Sequence, residues 1–425
     1  MNTIMIVAGE SSGELYGSLL AKTLKRGWPD VHIIGVGGER MKEAGVELVS
    51  HISDAFGLVE AVSAFNKIKT AFDNSINAVK KFRPEVLVLI DYPDFNLRVA
   101  KVAKSLGIKI LYYVSPQVWA WRKGRVRKIA ALVDRMAVIL PFEEKIYGNA
   151  GLPCEFVGHP ILEEIEGVLE TEVKNLPPFT PTLEKGGKGG FERMGIEVSQ
   201  FRSFFKSALG LDPDGPLLSI LPGSRPSELN RHLPLMVDVI RQIRSDPEMH
   251  SGKNCQVCMP LAPNTDEKRY GFYLETLRQE GVTVKKDETV RVLAASDMAV
   301  VTSGTATLQT AFLEVPMVVV YKLSPLTYHL GKRIIRVKYI SLVNILSGRE
   351  VVAELIQQRA NPKEIINELK KIMSDANYKK DMLSSFRKIR ERFSGKRASD
   401  RVAEIVMEMA GRQDQTFSEN NYQHE

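Results

Sequence analysis

Thr3-Ile4-Met5-Ile6-Val7-Ala8-Gly9-Glu10-Ser11-Ser12-Gly13-Glu14 is an apolar run that passes directly into a polar, glycine-containing turn. A short apolar run that ends at a turn is typical of a buried strand, so we predict a strand over Thr3–Ala8 and a helix from about Leu15 to Arg26. The pattern recurs in the first half of the chain, where further strands are predicted over 31–36, 86–90, 109–114 and 135–140. Strands that are apolar throughout and separated by helices indicate a parallel sheet covered on both faces.

A second alternation of strands and helices follows a break in this pattern. From about Val168 to Ser199 the chain holds three prolines and the run Gly186-Gly187-Lys188-Gly189-Gly190, which is typical of an insertion or linker. Beyond it we predict strands over 217–221, 256–259, 282–284, 298–301 and 317–321, a helix near 233–245, helices from 362 to 410 and a disordered polar tail. A chain of 425 residues is long enough for two domains. We therefore predict an α/β protein with two doubly wound domains that face each other across a cleft.

The composition excludes several classes of protein. Hydrophobic residues make up 44% and charged residues 26%, which is ordinary for a globular protein and unlike a disordered, collagenous or coiled-coil chain. The formal charge is 58 − 51 = +7, which permits an anionic partner but does not choose among nucleic acid, nucleotide and membrane. Three cysteines do not make a disulfide scaffold, and we expect the CxxC pair Cys255 and Cys258 to be buried and structural. No apolar run reaches the roughly 20 residues of a membrane span, and the N-terminus is predicted to be a strand and not a signal peptide, so we expect a cytoplasmic protein.

Ligands of open α/β sheets bind at the carboxyl ends of strands, so the polar segments that follow strands are the candidate sites. The first is the turn Gly9–Glu14, whose glycines let the backbone approach a ligand. It is neither a GxGxxG fingerprint nor a Walker A loop, and its carboxylates Glu10 and Glu14 disfavour phosphate. A sugar or another hydroxyl ligand suits it better. The alternative is an ordinary strand–helix turn capped by serine.

The second candidate segment is Asp91-Tyr92-Pro93-Asp94-Phe95-Asn96. A carboxylate at a strand end can deprotonate a hydroxyl nucleophile, and Asp91 is better placed for this than Asp94. The alternative for Asp94 is that it caps a helix starting near Asn96.

The second half of the chain contains two further candidates, each a strand followed by small residues and a helix. In Leu221-Pro222-Gly223-Ser224-Arg225-Pro226-Ser227-Glu228, backbone donors at the helix N-terminus can bind an anion and Arg225 can reach a diphosphate. The segment Thr302-Ser303-Gly304-Thr305-Ala306-Thr307 predicts a second anion-binding helix N-terminus. Two such loops in one domain favour a nucleoside diphosphate, and the alternative is a capped turn with a solvated arginine.

Two of the clusters of basic residues lie beside aromatic or apolar positions. Arg122, Arg125 and Arg127 follow Trp119 and Trp121 in one cluster. In the other, Lys67 and Lys69 flank apolar positions at helical spacing. Such amphipathic basic segments suit an anionic membrane surface or single-stranded nucleic acid, and the alternative is a solvated helix face.

One histidine lies at the predicted crossover between the domains, in Val157-Gly158-His159-Pro160. A single histidine is more often structural than catalytic, and no set of His, Asp and Glu residues has the spacing of metal ligands. We therefore predict no metal site.

Together these segments resemble the lipid-A-disaccharide synthase family (glycosyltransferase family 19), whose members have the two-domain GT-B fold of Rossmann-like domains. The resemblance runs from about Ile4 to Ala410 and excludes the Pro/Gly-rich segment. Besides the four candidate segments, it is carried by the motifs Gly57-Leu58-Val59-Glu60, Tyr113-Val114-Ser115-Pro116-Gln117-Val118-Trp119-Ala120-Trp121, Leu140-Pro141-Phe142-Glu143, Val157-Gly158-His159-Pro160 and Asn344-Ile345-Leu346-Ser347-Gly348-Arg349-Glu350.

The resemblance implies an inverting transfer of the diacylglucosamine unit of UDP-2,3-diacylglucosamine to 2,3-diacylglucosamine 1-phosphate, in lipid A biosynthesis of Gram-negative bacteria. It implies no cofactor, no nucleic acid and a peripheral location on the cytoplasmic face of the inner membrane. The expected domains are an acceptor- and membrane-binding domain (1–165), an insertion or linker (166–200), a UDP-sugar-binding domain (201–394), a helix that returns to the first domain (395–410) and a disordered tail (411–425).

The candidate residues fall into three groups. The catalytic candidates are Asp91, Glu10 and Arg225, with Asp91 as the base. The substrate-binding candidates are Gly9, Ser12, Gly13, Asp94, Asn96, Ser224, Glu228, Ser303, Gly304, Thr305, Gln309, Asn344, Arg349 and Glu350. The membrane-contact candidates are Trp119, Trp121, Arg122, Arg125, Arg127, Lys67 and Lys69.

The chain departs from the family pattern at Gln309, where the family usually has a glutamate placed to bind ribose hydroxyls. The segment Val168–Ser199 is also extra. The alternatives are another UDP-sugar enzyme of this fold, such as a 2-epimerase or a MurG-like transferase, and a non-catalytic nucleic-acid-binding protein.

Overall fold

The computed structural model of the chain describes residues 2–51, 61–118, 124–174, 201–250, 255–324 and 338–412, except for the side chains of residues 61–67, 173, 174 and 250. The chain divides into two compact units, Met1–Glu163 with Lys396–Glu425, and Glu164–Gly395. Each unit is built around a parallel sheet.

In the described part of the first unit, seven parallel strands form a sheet in the order β3-β2-β1-β4-β5-β6-β7. The strands are β1 (Thr3–Ala8), β2 (His32–Gly37), β3 (Glu47–His51), β4 (Val86–Ile90), β5 (Lys109–Tyr113), β6 (Arg135–Val138) and β7 (Cys154–Phe156). The helices are α1 (Ser11–Gly27), α2 (Glu39–Glu43), α3 (Ala61–Phe82), α4 (Pro93–Ser105), α5 (Arg125–Leu132), α6 (Glu143–Gly148) and the start of α7 (Pro160–Lys174). The strand order reverses at β1, so the loops after β1 and β4 lie at a topological switch point, where ligands of such sheets bind.

The core of the first unit covers both faces of its sheet. Alternate residues of the central strands, among them Met5, Val7, Leu87 and Leu89, join one apolar cluster with side chains of α3, α4 and α5. Helix α1 and the C-terminal helix α16 (Ala398–Met409) also pack against central strands of this sheet. Burial on both faces explains why these strands are apolar throughout.

In the described part of the second unit, six parallel strands form a sheet in the order β10-β9-β8-β11-β12-β13. The strands are β8 (Leu217–Leu221), β9 (Gln256–Leu261), β10 (Val282–Lys286), β11 (Met298–Thr302), β12 (Met317–Tyr321) and β13 (Glu354–Ile356). The helices that follow α7 are α8 (Arg202–Ala208), α9 (Pro226–Ser245), α10 (Gly271–Gln279), α11 (Thr289–Ala295), α12 (Thr305–Phe312), α13 (Leu342–Ser347), α14 (Pro362–Ser374) and α15 (Ala376–Glu391). Strands β8 and β11 are neighbours, so the two predicted anion-binding loops leave the same edge of the sheet side by side.

Helix α16 follows the second unit in the chain but belongs to the first. Its N-terminus is held by Glu163, whose carboxylate accepts hydrogen bonds from the Ser399 amide (2.9 Å) and hydroxyl. Thr23 of α1 donates to the Ser399 hydroxyl at 3.3 Å, and Arg26 pairs with Asp400 at 2.7 Å. These contacts fix the position of the returning helix on α1.

Two predicted helix starts are wrong because a proline occupies the first turn of each helix. Helix α4 begins at Pro93 and not near Asn96, and α9 begins at Pro226 and not near Leu233. Proline favours the first helical turn, where its missing N–H would have no partner. Asp94 therefore lies within α4 and is not its N-cap.

The predicted linker starts too early. Residues 166–174 are part of α7, since Ile161, Ile165 and Leu169 form a buried stripe at helical spacing. Residues 175–200 lie outside the described residues, as does the tail from 413 onward.

The observed strand boundaries differ less from the predicted ones than the helix starts do. Strand β9 continues through Pro260 to Leu261, which is possible because β8 pairs only with 256–258 and Pro260 lies beyond that pairing. Strand β6 ends at Val138, two residues early. The edge strands β3, β7 and β13 were not predicted, because none is an apolar run.

Two expectations from composition concern cysteines and membranes. Cys255 and Cys258 are buried, which confirms the structural assignment, and burial raises their thiol pKa values to about 11 and about 12. Within the described ranges, no helix is both long and apolar enough to cross a membrane.

Candidate active site

The first unit brings two predicted site segments together at the ends of β1 and β4. These strands are parallel neighbours, with Ala8 opposite Ile90. The loops that follow them meet where a Cβ on Gly9 would lie 2.4 Å from the Cβ of Tyr92, so only glycine fits. Gly9 was predicted to let a ligand approach, but in the structure it lets the neighbouring loop approach.

The loop after β4 has an unusual backbone that positions Asp91. Asp91 and Tyr92 both adopt left-handed conformations, with φ of 48° and 40°, which non-glycine residues rarely do. The buried Asn96 amide holds this turn by donating to the carbonyl oxygens of Ile90 (3.1 Å) and Asp91 (2.7 Å), and the Tyr112 hydroxyl donates to the latter at 2.5 Å. Strained backbone that is held this firmly is typical of functional sites. Asn96 therefore supports Asp91 from inside the protein, although it was predicted as a substrate ligand.

Carboxylates gather around this loop. Burial, followed by the negative charges of Glu10 and Asp94, raises the pKa of Tyr92. Burial, followed by the charge of Asp91, raises the pKa of Tyr112 well above its usual value. Glu10 is the N-cap residue of α1, but its side chain does not cap the helix and is partly exposed. The loops after β1 and β4 thus place Glu10 and Asp91 at one edge of the sheet.

The rest of the Gly9–Glu14 turn is structural in part. Glu14 is buried and accepts a hydrogen bond from the Arg40 amide at 2.9 Å, so its carboxylate is bound within the protein. Gly13 packs against Ala8 and Ile90, whereas Ser12 is partly exposed. No serine caps α1, so the alternative of a serine-capped turn is also wrong.

Asp94 connects α4 to the basic cluster. Its carboxylate is 73% exposed and pairs with Arg125 of α5 at 2.5 Å. Lys69 of α3 and Arg127 of α5 are exposed. Trp119, Trp121 and Arg122 lie outside the described residues, and so does the side chain of Lys67.

In the second unit, the N-terminus of α9 is closed by its own glutamate. One oxygen of Glu228 accepts from the amides of Ser224 (3.1 Å) and Arg225 (3.2 Å). Gly223, at φ 102°, leaves room for this carboxylate, since a Cβ there would lie 2.5 Å from it. The prediction that these amides are open to an anion is therefore wrong. What this loop presents is the Arg225 side chain, which is 53% exposed and lies 3.5 Å from Glu228.

The N-terminus of α12 is arranged differently. Gly304 is its N-cap residue, is exposed, and has a backbone conformation (φ 157°, ψ −159°) that suits glycine. No side chain caps this helix in the described structure. The Ser303 hydroxyl donates to the Ile340 carbonyl (2.9 Å) and that of Thr307 to the Gly304 carbonyl (2.8 Å), so both hydroxyls brace the turn. The first amides of α12 are thus directed toward an uncapped end, as in an anion site.

A residue that the sequence analysis missed, His232, joins the two loops. It is fully buried on α9, and its Nδ1 lies 3.1 Å from the Pro222 carbonyl oxygen and 3.3 Å from the Thr302 hydroxyl. Its Nε2 accepts from the Lys322 amide at 2.9 Å, so the neutral ring carries its proton on Nδ1. Burial lowers the pKa of His232 to about 4.

Three of the four remaining predicted nucleotide ligands, Gln309, Asn344 and Arg349, bond within the protein. Gln309 is 6% exposed and donates to Glu164 of α7 at 3.0 Å. The buried Asn344 amide bonds to Glu354 and to backbone groups of Val351 and Val352. Glu354 in turn accepts from the amide of Ile340, whose carbonyl Ser303 contacts. Arg349 makes a two-pronged pair with Asp381, and Glu350 is exposed.

His159 is a structural residue of the first unit. His159 is buried, its Nδ1 accepts from the Ile161 amide at 3.2 Å, and burial lowers its pKa to about 3, which fits the structural role expected for it. Among the described residues, no group of three or more His, Cys, Asp and Glu is placed to hold a metal ion.

Both halves of this architecture match one family. A sequence model of the family described as Lipid-A-disaccharide synthetase matches residues 4–175 and 195–406. The chain belongs to the lipid-A-disaccharide synthase family. The interruption of the match falls within the segment Val168–Ser199 that the sequence analysis set apart.

Curated lipid-A-disaccharide synthases resemble the chain over nearly its full length. The protein of Geobacter metallireducens is 39% identical over 411 residues, covering 96% of this chain and 97% of its own. That of Trichlorobacter lovleyi is 38% identical over 408 residues with the same coverage, and that of Coxiella burnetii (strain Dugway 5J108-111) is 37% identical over 406 residues, covering 95% of this chain and 97% of its own.

Solved structures support the fold. A UDP-GlcNAc 2-epimerase from Neisseria meningitidis bound to UDP-GlcNAc superposes with a TM-score of 0.63 at 8% identity, covering 96% of this chain and all of that one. The S. aureus MnaA-UDP co-structure gives 0.61 at 10% identity, covering 96% of each chain. At such low identity these similarities show the fold alone, and with the two parallel sheets they confirm the predicted GT-B architecture. The family match disfavours the 2-epimerase, MurG-like and nucleic-acid-binding alternatives.

Two residues of the second unit, His232 and Glu164, were not among the candidates predicted from the sequence. His232 carries a weak signal, since it lies three residues after Leu229 on the apolar face of α9. Glu164 carries none, because only the fold brings it to Gln309, which is 145 residues away in sequence.

Proposed function

We propose that the chain transfers the diacylglucosamine unit of UDP-2,3-diacylglucosamine to the 6-hydroxyl of 2,3-diacylglucosamine 1-phosphate, forming lipid A disaccharide 1-phosphate and UDP. Family membership makes the chain a glycosyltransferase of lipid A biosynthesis. The observation that carries the proposal is the match over 4–175 and 195–406, which spans the strand-end loops of both units.

Asp91 acts as the general base. The left-handed turn and the Asn96 and Tyr112 hydrogen bonds hold Asp91 at the end of β4. It takes the proton of the acceptor hydroxyl while that oxygen forms its bond to C1 of the donor sugar. The bond from C1 to the diphosphate oxygen breaks in the same step, and UDP leaves with the bonding electrons. Glu10, on the neighbouring loop, faces the same edge and orients the acceptor hydroxyls.

The second unit receives the charge of the departing UDP. The uncapped N-terminus of α12 directs amides at the diphosphate, and the exposed Arg225 guanidinium pairs with it. Donors fixed in advance stabilise charge that develops in the transition state. His232 holds the two loops together through its contacts with Pro222 and Thr302.

Both substrates carry acyl chains, so we place the chain peripherally on the cytoplasmic face of the inner membrane. The exposed Lys69 and Arg127 lie on α3 and α5, which both pack against α4. Cations on neighbouring helices suit an anionic lipid surface. Arg125 contributes less, because it already pairs with Asp94.

The test measures UDP release from UDP-2,3-diacylglucosamine with and without the lipid acceptor. We expect release only with acceptor, and we expect Asp91→Asn to lose about 10²- to 10⁴-fold in turnover while it retains UDP affinity. Asp73→Asn, an exposed carboxylate of α3, is the matched control and should behave as wild type. Release that does not depend on acceptor would overturn the transferase reaction, and near-normal turnover of Asp91→Asn would overturn its role as base.

The same assay on vesicles tests the membrane surface. Anionic vesicles should increase turnover relative to neutral ones, and Lys69→Gln with Arg127→Gln should remove that increase. Lys380→Gln with Lys388→Gln, two exposed cations of α15, makes the same change in net charge. An equal response of both double variants would contradict the proposed surface.

A further inference from the structure

A hydrogen bond in the second unit joins Gln309 to Glu164, and neither residue has a role in the proposed reaction. The side-chain amide of Gln309 on α12 donates to a carboxylate oxygen of Glu164 on α7 at 3.0 Å. Gln309 is nearly buried, whereas Glu164 is partly exposed. Glu164, the more exposed of the two, is thus the member with an ionisable group.

Gln309 lies on the face of α12 that also carries Thr305, a residue of the first turn. Gln309 is five residues beyond Gly304, so it lies about 7.5 Å along the helix axis from the N-cap. It shares a helix face with Thr305, four residues earlier, and side chains of a helix lean toward its N-terminus. This geometry directs the amide of Gln309, and with it the Glu164 carboxylate, toward the end where the diphosphate is proposed to bind.

A ribose diol needs a specific kind of partner. Its two hydroxyls can both donate to one carboxylate, which has two acceptor oxygens, whereas an amide has one. Hydrogen bonds to a charged acceptor are also stronger than those between neutral groups. A nucleoside diphosphate with its phosphates at the α12 N-terminus has its ribose one group farther along, so a carboxylate beside this helix is suited to the diol.

The residue type at 309 determines whether a second carboxylate faces Glu164. A glutamate there would put two carboxylates about as close as the present hydrogen bond, and like charges at that distance do not both ionise. Glutamine instead donates a hydrogen to Glu164 and restricts its orientation. The uncharged residue at 309 and the charged one at 164 therefore form a matched set.

We propose that Glu164, oriented by Gln309, is the carboxylate that binds the ribose hydroxyls of UDP in this chain. The inference rests on the proposed UDP site at α12 and identifies the group that recognises the sugar of the nucleotide. Glu164 is a binding residue and Gln309 a positioning residue, so the negative charge comes from α7 and not from α12.

The experiment compares binding of UDP with that of 2′,3′-dideoxyuridine diphosphate by calorimetry. The full-length chain should prefer UDP, and Glu164→Gln should reduce that preference by about 10-fold or more, since hydrogen bonds to a charged group are lost. Binding of the dideoxy nucleotide should not change, because it has no hydroxyls to lose. Glu170→Gln, an exposed glutamate on the same helix, is the matched control.

A second variant exchanges the two groups. Glu164→Gln combined with Gln309→Glu moves the carboxylate across the same hydrogen bond, and we expect it to recover most of the preference for UDP. Gln309→Ala leaves the charge but removes its orientation, so it should lower the preference by a smaller factor than Glu164→Gln does.

The possible results separate this inference from the proposed function. If the wild-type chain binds neither nucleotide, the proposed UDP site fails. If it binds UDP and Glu164→Gln keeps the full preference over the dideoxy nucleotide, the site stands and the role of Glu164 is overturned. Equal weakening of both nucleotides by Glu164→Gln also overturns it, because a general disturbance of the fold has that effect.

Discussion

The N-termini of α9 and α12 look alike in sequence and differ in structure. Each follows a central strand of the same sheet through a short run of small residues, and each was predicted to bind an anion. At α9 the carboxylate of Glu228 accepts from the amides of Ser224 and Arg225, which directly precede the helix, whereas no side chain caps α12. A pattern of strand, small residues and helix therefore predicts a helix N-terminus but not whether its amides are available.

The difference comes from the third residue of each helix. In α9 it is Glu228, which turns back onto the loop because Gly223 leaves space for it. In α12 it is Thr307, whose hydroxyl donates to the Gly304 carbonyl and does not accept from an amide of the helix N-terminus. A negative charge at the start of α9 offsets the positive end of its helix dipole, so we expect an anion to be better stabilised at α12. The proposed role of Arg225 is to reach the diphosphate from the other loop.

The largest effect is expected from a negative charge placed at the uncapped N-terminus of α12. Thr305→Glu puts a carboxylate in the first turn of α12, where it competes with the diphosphate for the same amides. We expect UDP affinity to fall about 100-fold, or about 2.7 kcal/mol. Thermal stability should not fall, because an acidic residue in the first turn favours the helix. Calorimetric titration with UDP and thermal unfolding together measure both effects.

Thr305→Gln is the control for size. It fills the same volume without the charge and should cost much less affinity. Similar losses in the two variants would mean that bulk and not charge is responsible, and wild-type affinity in Thr305→Glu would exclude α12 as the diphosphate site.

A smaller change is expected from opening the closed helix. Glu228→Ala removes the acceptor from the Ser224 and Arg225 amides, so the unfolding free energy should fall by about 1 kcal/mol, as for the loss of an N-cap. UDP affinity should change by less than about threefold, since α12 keeps its amides. Urea unfolding and UDP titration measure the two quantities.

Glu228→Gln keeps an acceptor oxygen and should retain most of the stability. A tenfold gain in UDP affinity in Glu228→Ala would show that α9 can bind the diphosphate once it is opened, and the contrast between the helices would then rest on Glu228 alone.

The strands of both sheets could be predicted because burial on two faces makes them apolar throughout, as in Val86–Ile90 and Leu217–Leu221, whose bounds match the prediction. The position of Asp91 follows from the end of such a strand. What could not be predicted is which polar groups satisfy each other. Asn96 and Asn344 were expected to face ligands, but both are buried in hydrogen bonds to backbone that only the fold brings near. Glu14 likewise bonds to Arg40 of another helix.

The smallest expected effect concerns His232, which connects the two loops being compared. Its ring is neutral in the folded state, where its pKa is about 4, and near 6.5 in the unfolded chain. Between these values the unfolded chain binds the additional proton, so stability is fully present above pH 6.5 and is lost as the pH falls toward 4. Over the single step from pH 7 to pH 6 this amounts to about 0.7 kcal/mol, a figure that depends mainly on the pKa of the unfolded chain. His232→Gln, whose amide can also donate to Pro222 and accept from Lys322, should lack this part of the pH dependence when the chain is unfolded in urea and followed by circular dichroism. His159 of the first unit titrates equally in both proteins, so it cancels in the difference. If the variant lost the same unfolding free energy between pH 7 and pH 6, His232 would not be the source of the pH dependence. The positions of the two loops would then be set by the strands β8 and β11 alone.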